Sequence, residues 1–375
     1  MPRLIFANQL RGLAVLCVML THLVGVFWIE RGLTSAATAS PVLTDDPPAA
    51  LLALFTHRYL NFGPLGLAIF FLISGFVIPF SLAGHSRASF MLARLLRIYP
   101  TYVVALLFQV GIVAAAASYW AIPSPLSVAA VVANALLVQS VAGTPAIDFV
   151  SWSLFVELKF YVLMMLLAPL VRRGSVAALF ALAGALLVGN LLLPGTRLPI
   201  TTGSDSVFLV FMLVGVLFNF HWRGLIGLPV FAAAMVAMLA LFLACWWHSV
   251  LRFQFWVTPA NYFYALAAFG TAYAFRARFR PVGVLDLLAR ISFDLYVLHF
   301  LLGISLLKLL MLRFGMGYLP ALGTTLLVLL ALACLLHSTL EARMIAMGRR
   351  LTQPVRAVLP GIPSVPAGTP SPNPG

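Results

Sequence analysis

"LRGLAVLCVMLTH", Leu10 to His22, sets an arginine and a histidine in a run otherwise apolar enough to lie in lipid. Continued to Ile29, the run is long enough, at 1.5 Å per residue, to cross most of a hydrocarbon core about 30 Å thick. An ionisable side chain facing lipid costs at least ~2.5–3.5 kcal/mol, so Arg11 and His22 have to face a bundle interior or one of its mouths. The rest of the chain repeats the pattern. Of 375 residues, 63% are hydrophobic and 9% charged, too little charge to cover a water-facing globular surface. The sequence predicts an all-α, polytopic membrane helix bundle.

Apolar segments at 12–29, 62–83, 98–119, 152–170, 175–193, 206–221, 225–247, 259–276, 291–312 and 319–340 give about ten transmembrane helices. The segment 124–141 is also apolar, and counting it would invert everything after it. With ten spans and both termini cytoplasmic, most arginines fall on the inner side, among them Arg3, Arg87, Arg172, Arg173, Arg276, Arg278, Arg280 and Arg356, with few, such as Arg197, outside. That bias places 124–141 as an outer-face interfacial or half-inserted helix. Residues 1–342 form the membrane domain, and the Pro-rich end, 343–375, reads as a disordered cytoplasmic tail with no soluble domain appended. The first apolar run is too long for a secretory h-region and reads as a retained helix.

The net charge of +14 sits mainly at helix ends, where anionic headgroups account for it; basic clusters interleaved with aromatics on a polar face are missing, which argues against a nucleic-acid partner. Cys17, Cys245 and Cys334 lie inside apolar runs and show neither a disulfide framework nor metal-ligand spacing, so no metal is expected.

Two readings stand at each polar position within a span. His22 lies about 16 Å deeper than Arg11 along a helix. It is either a proton acceptor reached by substrate or a histidine bonded to a neighbouring helix, with Arg11 an ordinary topogenic charge. Arg94 and Arg97, in "ARLLRIYPTY", share a helical face and suit either phosphates or lipid headgroups. In "VSWSLFVELKFYV", Ser153, Glu157 and Tyr161 follow one another at four-residue steps on one face. Glu157 there could orient His22, take its proton, hold sugar hydroxyls or pair with a basic residue of another helix, while Lys159 points elsewhere and snorkels or pairs. Ser74, in "FFLISGFVIPF", belongs to a Ser-Gly pair that suits close helix packing and lacks a nearby base for nucleophilic work. "ISFDLYVLHF" places Asp294, Tyr296 and His299 together in span 9.

The order of these motifs resembles the acyltransferase family 3 of integral-membrane acyltransferases, which includes sugar O-acetyltransferases of bacterial surface polysaccharides. The matching elements are Arg11 with ten residues before His22, "FFLISGFVI", the RxxR of "RLLRIYP", "WSLFVELKFY" and "ISFDLYVLH", over about residues 8–340. The resemblance implies that His22 is catalytic, that Arg11 is essential beside it, and that Arg94 and Arg97 receive acyl-CoA. Glu157 falls on the glutamate of the family's W-S-L-x-x-E pattern and would steady the His22 imidazolium or position the sugar. Ser74, Trp152, Ser153, Tyr161, Tyr296 and His299 are implied as substrate-binding or helix-packing residues. One departure is Phe293, where members often carry Tyr.

On this resemblance acetyl-CoA, or another acyl-CoA, is a co-substrate rather than a permanently bound cofactor. The acceptor is a saccharide hydroxyl and the setting a bacterial cytoplasmic (inner) membrane. A transporter or flippase of lipid-linked sugars, and acyl transfer to a small hydroxylated metabolite, are the alternatives.

Overall fold

The computed structural model describes residues 4–192 and 204–352, and among these there is no β-strand. Arg3, Arg197, Arg356 and most of the expected tail lie outside the described residues. The principal helices are α1 (Ile5–Ile29), α2 (Phe62–Ala83), α3 (Arg87–Trp120), α4 (Ser151–Leu166), α5 (Val176–Leu192), α6 (Asp205–Trp222), α7 (Leu228–Trp247), α8 (Pro259–Ala274), α9 (Ser292–Leu298), α10 (Leu301–Phe314) and α11 (Tyr318–Leu351).

Each of the ten expected spans coincides with helix, but not every helix reaches across. Among the described residues six are long and apolar enough to cross a membrane, and α9 with α10 makes a seventh if that bent pair is one span. Helices α4 and α8 have 16 residues each, which at 1.5 Å per residue falls short of a ~30 Å core. The chain is a multi-pass membrane protein, all-helical among the described residues.

Segment 124–141 does not form a spanning helix. It divides into Val128–Ala135 and Gln139–Ala142, with Leu137 between them at φ 57°, the left-handed region that a branched side chain avoids. Buried Asn134 holds this break in place. Its amide donates to the carbonyls of Ala130 and Pro145, and its Oδ1 accepts from the Ile147 N–H. Tyr102 of α3 donates to the Asn134 carbonyl at 2.9 Å. A polar side chain that pins irregular backbone here costs less than leaving those groups unpaired in an apolar setting.

At the other end, the chain stays helical through Leu351, with Gly348 lying against Ala93 and Leu96 of α3. The tail expected from 343 thus begins in a helix.

Helix α2 is the hub, packed on α1, α6 and α8. Its glycines permit this. A Cβ at Gly75 would lie 2.0 Å from the Met212 carbonyl oxygen, and one at Gly215 would lie 2.4 Å from that of Leu72. Backbones can meet this closely only where both helices carry small residues. Ser74-Gly75 therefore does two things: the glycine admits α6, and the serine faces another way. Helix α6 is 89% buried although its own sequence shows no strong apolar face, as expected for a helix surrounded by others.

Lys159 of α4 pairs with Asp205 at the start of α6, both about 10% exposed or less. Removing one partner of a buried pair costs about 3–5 kcal/mol, whereas replacing both by apolar residues is often neutral. Asp205→Asn is accordingly expected to lower the thermal unfolding temperature in detergent markedly, and Lys159→Met with Asp205→Leu to recover most of the loss.

Candidate active site

Two stretches of π-helix interrupt otherwise regular helices, and each carries a histidine. Thr21–Val26 is the first. A π-turn frees a backbone carbonyl, and such turns concentrate at functional sites. Here Tyr318 of α11 donates to the Leu23 carbonyl at 2.8 Å, which fixes the wider turn around His22. The second, His337–Glu341 in α11, carries His337 and Glu341 on one face.

His22 is held by a residue far along the chain. Its Nδ1 is 2.8 Å from Nε2 of His299, and its ring meets the edge of Phe300 with centroids 5.2 Å apart. His299 is 0% exposed and stands where α9 gives way to α10, a break bent by 59°. Its Nδ1 lies 2.8 Å from the Tyr296 carbonyl oxygen and 3.1 Å from that of Leu295.

Two cavities flank this region. In one, Arg11, Arg97, Glu157, Ser74 and Tyr161 face one another. In the other, His22 shares the wall with Asn61, Gln254, Trp152, Trp246 and Tyr262. Leu67 and Tyr296 line both, so they form the partition between them. Tyr296 is fixed there by Ser153 Oγ at 2.6 Å and by the Val150 carbonyl, to which it donates at 3.2 Å.

Glu157 belongs to the arginine cavity. One of its oxygens accepts from Tyr161 at 2.6 Å and from Ser74 at 3.0 Å. The Ser153–Glu157–Tyr161 face predicted from the sequence is thus real. It addresses the arginines, while the group bonded to His22 is His299. Ser74 serves as a donor to Glu157.

The two RxxR arginines part company. Arg97 lines the cavity. Arg94 lies over the rings of Phe90 and Tyr161, 5.6 and 5.5 Å from their centroids, and its buried Nε has no hydrogen-bond partner. A guanidinium stacked on aromatic faces steadies Tyr161, and through it Glu157.

Arg97 is within electrostatic reach of Asp294 in α9, which in turn meets Glu341. His337 Nδ1 lies 2.5 Å from Glu341 and 3.3 Å from Asp294. One ligand atom from each of these three residues falls within 4.8 Å of the others, the one such grouping among the described residues.

Of the residues in the His22 cavity, Trp152 belongs to the W-S-L-x-x-E segment already singled out, whereas Asn61, Gln254 and Phe208 have no sequence signal of their own. Asn61 caps the start of α2 through a bond from the Gly63 N–H, and its own N–H donates to Asn261 at 2.8 Å. Gln254 accepts from Thr258 at 3.1 Å. Trp152 and Phe208 pack with centroids 5.0 Å apart. Only the tertiary fold gathers these aromatic and amide groups, from four separate segments, opposite one histidine.

Fold and site together define a multi-pass membrane helix bundle with one cavity lined by arginines and another by a histidine. The chain belongs to the family whose model is described as an acyltransferase domain; the match covers residues 4–337, nearly the whole sequence. No match was found among curated proteins or among solved structures.

Proposed function

We propose that the protein moves an acyl group, acetyl in the simplest case, from cytoplasmic acyl-CoA to a hydroxyl of a saccharide on the far side of a bacterial cytoplasmic membrane. The observation that carries this reading is the pair of cavities meeting at Leu67 and Tyr296, arginines in one and His22 in the other. The nucleotide phosphates of CoA suit Arg11 and Arg97, since guanidinium groups bind phosphate through paired, charge-assisted hydrogen bonds. The slim pantetheine arm then carries the thioester past Tyr296, with Leu67 as the side chain that yields. A sugar ring suits the second cavity, where flat aromatic walls offer apolar contact and Asn61 and Gln254 offer hydrogen bonds.

The chemistry is acyl transfer with general base assistance. His22 takes the proton of the acceptor hydroxyl as its oxygen attacks the thioester carbonyl. The carbon–sulfur bond breaks, and the CoA thiolate leaves with the proton that His22 returns. Ester and free CoA are the products, and the imidazole ends neutral. Glu157, tied to Ser74 and Tyr161, keeps net charge in the arginine cavity low while CoA is absent. It acts on donor binding, away from the reacting hydroxyl.

The split between Arg97 and Arg94 provides a test. A hydrogen bond to a charged group is worth about 1.5–3 kcal/mol, or roughly 10–150-fold in affinity. Arg97→Ala is expected to raise KM for acetyl-CoA by that factor with little change in kcat. Arg94→Ala should act chiefly through Tyr161, so Arg94→Lys, which keeps a cation beside the ring, recovers more activity than Arg97→Lys does. Equal effects at the two positions on KM would count against the assignment of Arg97 as the phosphate contact.

A further inference from the structure

We infer that His299 is a positioning residue: it holds His22 with its proton on Nδ1, so that Nε2 is the nitrogen left free for chemistry. The inference rests on the reading of His22 as the base and adds which atom of it acts.

One line of hydrogen bonds fixes the tautomer. The carbonyl oxygens of Tyr296 and Leu295 only accept, so His299 Nδ1, 2.8 and 3.1 Å from them, carries a hydrogen. A neutral imidazole has one N–H, which leaves His299 Nε2 as an acceptor. Its partner, 2.8 Å away, is His22 Nδ1, which must then donate. Neutral His22 accordingly has its lone pair on Nε2.

A doubly protonated His299 would reverse the last step. That would put a cation on a ring that is 0% exposed and whose Nδ1 partners are neutral carbonyls, an expensive choice without a counter-charge in hydrogen-bond contact.

The backbone explains why His299 is so firmly committed. Helix α9 ends at Leu298 and α10 departs at 59°. Carbonyls at a helix end need donors, and the His299 side chain folds back to supply one. The break in the helix and the tautomer of His22 are therefore one device. When His22 gains a proton on Nε2, its Nδ1–H···Nε2 bond to His299 becomes charge-assisted without any atom having to move. A histidine whose tautomer is fixed by the partner of its other nitrogen is a recurring arrangement in general base sites.

The experiment is solid-state or detergent NMR of the full chain labelled with 13C and 15N at histidine, with the His22 resonance identified by its loss in His22→Gln. The expected result is His22 protonated at Nδ1 and not at Nε2 in the unsubstituted protein. His299→Leu should release the tautomer and lower kcat by about 100-fold, with KM for both substrates within about twofold since neither substrate touches His299. His299→Gln, whose Oε1 can accept where Nε2 did, should keep the Nδ1–H form and recover to within about tenfold of the parent.

A His22 protonated at Nε2 in the unsubstituted protein overturns the inference, whatever the activity. Equal losses in the Leu and Gln variants with the tautomer unchanged overturn it too. If the tautomer is as stated but the protein transfers no acyl group, the inference holds and the functional reading falls.

Discussion

Replacing His22 with Ala is expected to lower acyl transfer about 1,000-fold, the middle of the range a general base contributes, while leaving acyl-CoA binding intact. The separation follows from geometry. His22 lines one cavity and Arg11 and Arg97 line the other, with Leu67 and Tyr296 between. The structural cost is modest, because the substitution opens one wall of an existing cavity. It does remove the donor to His299 Nε2, and an unpaired buried acceptor costs about 1–3 kcal/mol. Monodispersity and thermal unfolding in detergent are therefore measured alongside CoA release from radiolabelled acetyl-CoA. Label that stays on the unsubstituted protein when no acceptor is supplied would mark His22 as a covalent carrier in place of a base.

The largest effect on the fold is expected at the crossing of α2 and α6. Gly215→Leu would force a side chain into a space where even a Cβ lies 2.4 Å from the Leu72 carbonyl oxygen and 2.9 Å from the Gly75 Cα. Neither neighbour is a flexible side-chain tip, so the helices have to separate. Overpacking of this kind typically costs 1–3 kcal/mol and more when backbone is displaced, roughly the range in which single changes unfold marginal proteins. The loss reaches the site as well. Helix α2 carries Leu67 and Ser74, and α6 carries Phe208 of the His22 cavity. Gly215→Leu should fail to yield a monodisperse protein, whereas Gly111→Leu, where a Cβ meets nothing within 4 Å, should purify and unfold like the parent. Fluorescence-detected size exclusion of the two variants decides it.

How much of this was legible in the sequence depends on the distance over which each feature is determined. Helix positions were readable, because apolar runs are local: the expected 62–83 coincides with α2, Phe62–Ala83. Helix ends were less so. The run at 152–170 hides a break at Leu167, where φ −84° and ψ 9° stop α4 before Pro169, and apolar residues on both sides conceal it. The alignment of Ser153, Glu157 and Tyr161 followed from helical spacing, and Lys159 found a carboxylate partner in Asp205, one of the two readings open to it. What Glu157 faces did not follow, since α2 supplies Ser74 and α1 and α3 supply the arginines.

The difference between Arg94 and Arg97 was hidden for a similar reason. Three residues along a helix rotate a side chain by 300°, near enough to share a face, yet the 60° between them is the width of one neighbouring ring, and Tyr161 occupies it. The bond between His22 and His299 joins residues 277 apart in the chain. Both histidines stood out as polar groups in apolar segments, but nothing local pairs them. The pairing needs a π-turn in α1 and a bend between α9 and α10; Gly25 within the π-turn reads as an ordinary small residue of a packed helix, and the bend at His299-Phe300 carries neither proline nor glycine.

If the two cavities form one route, the donor enters by the arginines and the thioester meets His22 beyond Leu67 and Tyr296. The most direct measurement is a cryo-EM structure of the full chain with a non-hydrolysable thioether analogue of acetyl-CoA. The expected result is phosphate density against Arg11 and Arg97, an arm threaded past Tyr296, and the acyl end beside the His22 ring. An analogue seated elsewhere, such as the apolar groove of Tyr119, Trp120 and Leu306, or one bound at the arginines with its arm turned away from Leu67, would contradict it.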